Sequence, residues 1–237
     1  MDGFLTGTLC VLAYFVICVL IVFSIRLLFR IPKEHFRKLL HFVLLGSLIV
    51  WLNVYRTWVQ VVFSAIAFAL LVYPILLLAE RIRGYSEFVT ERKHGELKKS
   101  LLLVFFMFAL ITAVGWGIFG DQTLSLASIF AWGFGDAAAA LIGKRFGKHH
   151  LQGRHIEGKK SVEGSAAMFI VSFCCVLPVL LIRGGMPAAA CVVTAIVVCA
   201  VSTVTELFSM RGNDTFFCPV AAMAALLPLL CLFGGIR

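Results

Sequence analysis

Residues Gly153 to Gly164 read GRHIEGKKSVEG, one position away from a P-loop. The pattern G-x-x-x-x-G-K-[ST] demands Ser or Thr directly after the lysine. Here Gly153, Gly158 and Lys159 are followed by Lys160, and the serine arrives one place late, at Ser161. The difference decides the fold. A P-loop joins a β-strand to a helix inside an α/β domain. This stretch joins two apolar runs, Leu124 to Ile142 and Ser165 to Ile182, each of a length that crosses a bilayer as a helix. Its working unit is therefore Lys159-Lys160-Ser161 with Glu163 and Gly164, opening a transmembrane helix, and Gly153 to Gly158 reads as linker.

Outward from this loop the whole chain has the composition of a membrane protein. Of 237 residues 61% are hydrophobic and 14% charged, against about 25% charged in a soluble domain. Six further runs suit spans: Leu5 to Ile25, Leu39 to Tyr55, Trp58 to Ala79, Leu101 to Phe119, Pro187 to Leu207 and Phe216 to Phe233. Backbone groups in lipid must be satisfied within their own segment, so runs of this length mean helices. The expectation is one all-α domain over residues 1–237, a polytopic bundle of about eight spans, or seven if the short second run does not cross. The first run is too long for a cleaved signal, and its basic residues follow it, which reads as a first span with the N-terminus outside.

Charge sets the orientation. Eighteen of the 21 Lys and Arg residues fall in alternate loops; the other side holds Arg56, Arg183 and Arg237. That asymmetry puts the basic loops in the cytoplasm, as in an inner-membrane protein, and the net charge of +9 belongs to that face. It favours an anionic lipid surface. A nucleic-acid partner is disfavoured, because the basic residues lie in short loops with no aromatic binding surface. The eight cysteines lie in or beside spans with no C-x-x-C and read as small apolar packers.

All six histidines, and ten of twelve acids, lie on the same side as the basic loops. The positive-inside bias does not require this. A transporter would instead place polar groups near mid-membrane. Arg37 and His41 share a helix face, with Lys38 beside them. Asp136 lies inside an apolar run, on the order of 10 Å below Lys144 along a helix axis. An acid at that depth is a functional candidate. Small residues surround it, Gly135 and Ala137 to Ala140, and a basic turn follows with Gly143, Lys144, Arg145, Gly147 and Lys148. Glu206 ends a span where the helix dipole is unfavourable for an acid unless a cation is near. Asp214 reads equally as an N-cap of the last span and as a metal ligand.

These residues resemble the signature of CTP-dependent lipid-alcohol kinases, the dolichol, phytol and diacylglycerol kinases of the CTP type. Four elements carry the resemblance in order: Arg37-Lys38-His41, Gly135-Asp136-Ala139-Gly143, Lys159-Lys160-Ser161-Gly164 and Arg211-Gly212-Asp214. The resemblance implies transfer of the γ-phosphate of CTP to a lipid hydroxyl with Mg²⁺ or Mn²⁺, in lipid metabolism and phospholipid biosynthesis. It implies Asp136 as first metal ligand, with Glu206, Asp214 and Glu163 as further candidates. Lys144, Lys148, Lys159 and Lys160 would hold the triphosphate, together with Ser161, Gly135, Gly143, Gly164 and Arg211; Arg37, Lys38 and His41 could complete the clamp. The alcohol proton would go to His41 or Asp136. The related phosphatidate cytidylyltransferases share K-K-[ST]-x-E-G, and Glu163 fits that group, which makes CDP-diacylglycerol from CTP and phosphatidate. Met210 stands where that group's first acid is expected, which favours the kinase. A polyprenol, phytol and diacylglycerol all remain open as acceptor, and the oligomeric state is not legible. A transporter or lipid-binding protein is the non-enzymatic alternative.

Overall fold

A computed structural model of the chain describes residues 2–29, 31–81, 95–151, 153, 156, 160–209 and 212–235. Among these residues the regular structure is helical, with only isolated β-bridges besides. Eight helices are long and apolar enough to cross a membrane: α1 (Asp2–Phe29), α2 (Lys33–Val54), α3 (Trp58–Ala79), α4 (Glu96–Thr112, continued by a π-helical turn, Ala113–Ile118), α5 (Gln122–Phe146), α6 (Val162–Arg183), α7 (Ala188–Phe208) and α8 (Asp214–Leu232). The short second run is thus a full helix. It begins at Lys33, so Arg37, Lys38 and His41 all sit within it.

The chain divides into two compact units, residues 1–110 and 111–237. In the first, Trp51 is fully buried among Phe15, Phe68, Phe105 and Phe108, meeting all four edge-on. Edge-to-face packing suits the ring quadrupoles. Tyr14 Oη donates to Val43 O at 2.8 Å across the α1–α2 contact, passing over Gly46, where a Cβ would collide with that hydroxyl. Lys98 and Glu80 pair at 2.6 Å.

The second unit holds the π-helical turn and α5 to α8. Its most extensive contact is between α5 and α6. Small residues line it. A Cβ at Gly135 would overlap Ser172 Oγ and stand 2.8 Å from Met168 Cγ; one at Gly164 would stand 3.0 Å from Ala139 O and 3.3 Å from Gly143 Cα. Close backbone approach through such residues is how helices associate when lipid removes the hydrophobic incentive. Hydroxyls supply the rest: Ser172 Oγ (α6) and Ser202 Oγ (α7) both donate to Ala131 O of α5, at 2.7 and 3.0 Å. At the end of the unit away from the basic loops, Asp121 caps α5 by accepting from Thr123 N at 2.8 Å. Arg183 Nε, from the end of α6, also donates to Asp121, and another Arg183 nitrogen donates to Gly235 O beyond α8. Burial alone would raise the Asp121 carboxyl, but its bonds to Thr123 and Arg183 outweigh that and hold it below the usual range. All eight cysteines are free, with Cys191, Cys199 and Cys218 buried as packers.

Candidate functional site at the basic end of the second unit

The apolar run of α5 stops at Ile142, but the helix continues to Phe146. Nothing breaks it before Gly147, and Lys144 and Arg145 complement the negative end of the dipole. Gly143, Lys144 and Arg145, read from sequence as part of a basic turn, are therefore the last helical turn. Gly147 N closes that end by donating to Gly143 O at 3.0 Å.

The linker that follows is more ordered at its base than its composition suggests. Leu151 N donates to Lys160 O at 2.9 Å and Val162 N to His149 O at 3.0 Å, around an antiparallel bridge between His150 and Ser161. The two sides of the loop run together into α6. Ser161 is the N-cap: its buried Oγ accepts from Gly164 N at 3.1 Å and packs under Gly143 and Gly147. Glu163, in the first turn, binds His149 through both the ring Nδ1 at 2.7 Å and the backbone N–H at 3.2 Å. An acid suits a helix N-terminus.

Lys160 reaches the other way, to the end of α7. Its Nζ donates to Glu206 O, to Leu207 O at 3.3 Å and to Ser209 O at 3.0 Å, and pairs with Glu206 Oε1 at 3.1 Å. This is the cation that the position of Glu206 demands. Asp214 is the first residue of α8, one place past the cap position at Asn213, which makes no side-chain capping bond. Asp214 Oδ2 instead accepts from the indole N–H of Trp132 at 3.2 Å. Trp132 is 2% exposed and lies one turn before Asp136 on α5.

Three acids from three helices are thereby gathered. Glu206 lies in the electrostatic field of both Asp136 and Asp214, and the buried Cys218 thiol lies in the field of all three. Among the described residues no three His, Cys, Asp or Glu side chains are close enough to hold an ion by themselves. The donor set is nevertheless oxygen throughout, which suits Mg²⁺, an ion usually held by one or two carboxylates with substrate phosphates completing its shell.

Of the residues singled out from sequence, Asp136, Glu206, Asp214 and Lys160 come together. Ser161, Gly164, Gly143 and Gly135 form the α5–α6 contact, and Glu163 faces His149. Lys144 and Lys148 are exposed at the same end. Arg37, Lys38 and His41 belong to α2 of the first unit, where Lys38 is 7% exposed. Lys159 and Arg211 lie outside the described residues. Trp132 was not singled out from sequence; a tryptophan in an apolar span reads as packing, and only its bond to Asp214 marks it. No protein-family model matches the chain, and neither the curated proteins nor the solved structures contain a match to it.

Proposed function

We propose that the chain is a CTP-dependent lipid-alcohol kinase of a cellular inner membrane, working at its cytoplasmic face. The observation that carries the reading is the gathering of Asp136, Glu206 and Asp214, with Lys160, at the basic end of four apolar helices. A site there faces a soluble nucleotide on one side and the bilayer on the other.

Phosphoryl transfer asks for alignment and charge neutralisation more than for covalent help. Asp136 and Asp214 would hold Mg²⁺, which supplies positive charge to the phosphates when bound. Lys144 and Lys148, exposed at and just past the end of α5, attract the triphosphate, and Lys159 and Arg211 add to that charge by their place in the sequence. The lipid hydroxyl oxygen attacks the γ-phosphorus, the bond to the β–γ bridging oxygen breaks, and CDP leaves with that electron pair. The alcohol proton goes to a carboxylate of the group. Trp132 fixes Asp214 by its N–H bond.

CTP labelled separately at the α and γ positions, offered with a panel of polyprenols, phytol and diacylglycerol, tests the reading. Label from the γ position in lipid is expected, and Asp136→Asn abolishes it while the protein still folds. Label from the α position, with phosphatidate as acceptor, would establish the cytidylyltransferase reading that Glu163 in KKSVEG favours. A fully active Asp136→Asn variant would refute the placing of the site.

A further inference from the structure

We infer that Lys160 is a positioning residue, which holds the end of α7 and Glu206 in place rather than touching the triphosphate. The catalytic part of this inference rests on the kinase reading; the structural part stands without it.

A lysine ammonium has three protons to donate. Around Lys160 Nζ stand four acceptors: the carbonyls of Glu206, Leu207 and Ser209, and the Glu206 carboxylate. Its capacity is used up, and a phosphate oxygen could join only by displacing one of them. The last carbonyls of any helix lack intrahelical donors, and leaving them unpaired in a partly buried place is costly. At the end of α7 Ser209 N donates to Glu206 O, and Lys160 adds donors to that carbonyl and to those of Leu207 and Ser209; both side chains of its ion pair are mostly buried, 15% and 13% exposed.

Lys160 is also fixed from behind. Its own carbonyl accepts from Leu151 N, and the next residue caps α6. One side chain thus ties the start of α6 to the end of α7, five residues before Asp214 measured from Ser209. Moving the α7 terminus moves the turn that delivers Asp214. Three acids in one field repel, and Lys160 offsets the charge of Glu206 among them.

The test uses the full-length protein in detergent, with Lys160→Met, Glu206→Gln, the double variant and Lys160→Arg. The thermal midpoint should fall by about 5–10 °C in Lys160→Met. Glu206→Gln in that background should restore a good part of the fall, because it removes the carboxylate left unpaired. In the labelled-CTP assay Lys160→Met should lower kcat by about tenfold while KM for CTP stays within about twofold. Lys160→Arg, which keeps charge and donors, should recover most of kcat. A tenfold rise in KM for CTP with kcat and midpoint unchanged would make Lys160 a phosphate ligand and overturn the inference. If the parent protein turns over no CTP, the kinase reading fails, and the midpoints still decide: strictly additive effects of the two substitutions overturn the pairing, and coupled effects uphold it.

Discussion

Gly135 stands beside Asp136 in a motif whose glycines the family resemblance assigns to nucleotide, yet its place in the structure is against α6. The substitution Gly135→Ala separates the two roles. The added Cβ would overlap Ser172 Oγ and press on Met168 Cγ at 2.8 Å and Met168 O at 3.0 Å. Ser172 is fully buried and could yield only by turning its hydroxyl from Ala131 O. That bond is worth about 0.6 kcal/mol inside a membrane protein, at most about 1.7. Overpacking against Met168, whose carbonyl cannot swing aside, adds roughly 1–3 kcal/mol. Better helix propensity of alanine returns up to about 1 kcal/mol. The net is a loss of roughly 1–3 kcal/mol, or a fall of about 2–10 °C in thermal midpoint for a chain of this size. Ser172→Gly in the same chain clears the hydroxyl and should recover part of it, while the contact with Met168 persists. Thermal unfolding in detergent, followed by loss of the monodisperse peak on size exclusion, reads both variants. A Gly135→Ala protein as stable as the parent, or no recovery with Ser172→Gly, would refute the packing role.

Three further outcomes are expected. Trp132→Phe keeps an aromatic ring in the buried site but loses the donor to Asp214, and should lower turnover of labelled CTP about tenfold with little change in midpoint; unchanged turnover would remove Trp132 from the site. Ser161→Ala removes the cap of α6 and should cost about 1 kcal/mol, seen as a midpoint some 2–4 °C lower. Asp121 has a folded pKa below its unfolded value of about 3.9, so the stability it contributes is present above the unfolded value and lost as pH falls through the folded one. The midpoint should therefore decline on acidification below about pH 4, and more shallowly in Asp121→Asn; an identical slope would deny Asp121 its bond with Arg183.

The spans were legible because each apolar run has roughly the 17–25 residues a helix needs to cross the hydrocarbon core, the second only just. Their ends were not, since helices α2 and α5 continue into charged sequence once no breaker intervenes and the charges suit the dipole. Asp136 was legible as an acid in an apolar run, and Glu206 as an acid at the wrong end of a helix. The partner that resolves the second oddity, Lys160, lies 46 residues away, and no spacing rule links them. Trp132 escaped for a related reason: its function is a bond to Asp214, 82 residues on, while its composition speaks only of burial. The glycines around Asp136 were read through their motif, but what they touch, the backbone of α6, depends on which helix lies alongside.

The pairing of His149 to Leu151 with Lys160 to Val162 closes the α5–α6 connection at its base. The two ends of the connection are thereby held together beside Lys160. Doubling such a closed loop costs only about 0.6 kcal/mol. Insertions there are a natural place for an epitope or reporter that leaves the helices as they are, and antibody access to such a tag from one side of the membrane would read the sidedness of the chain directly.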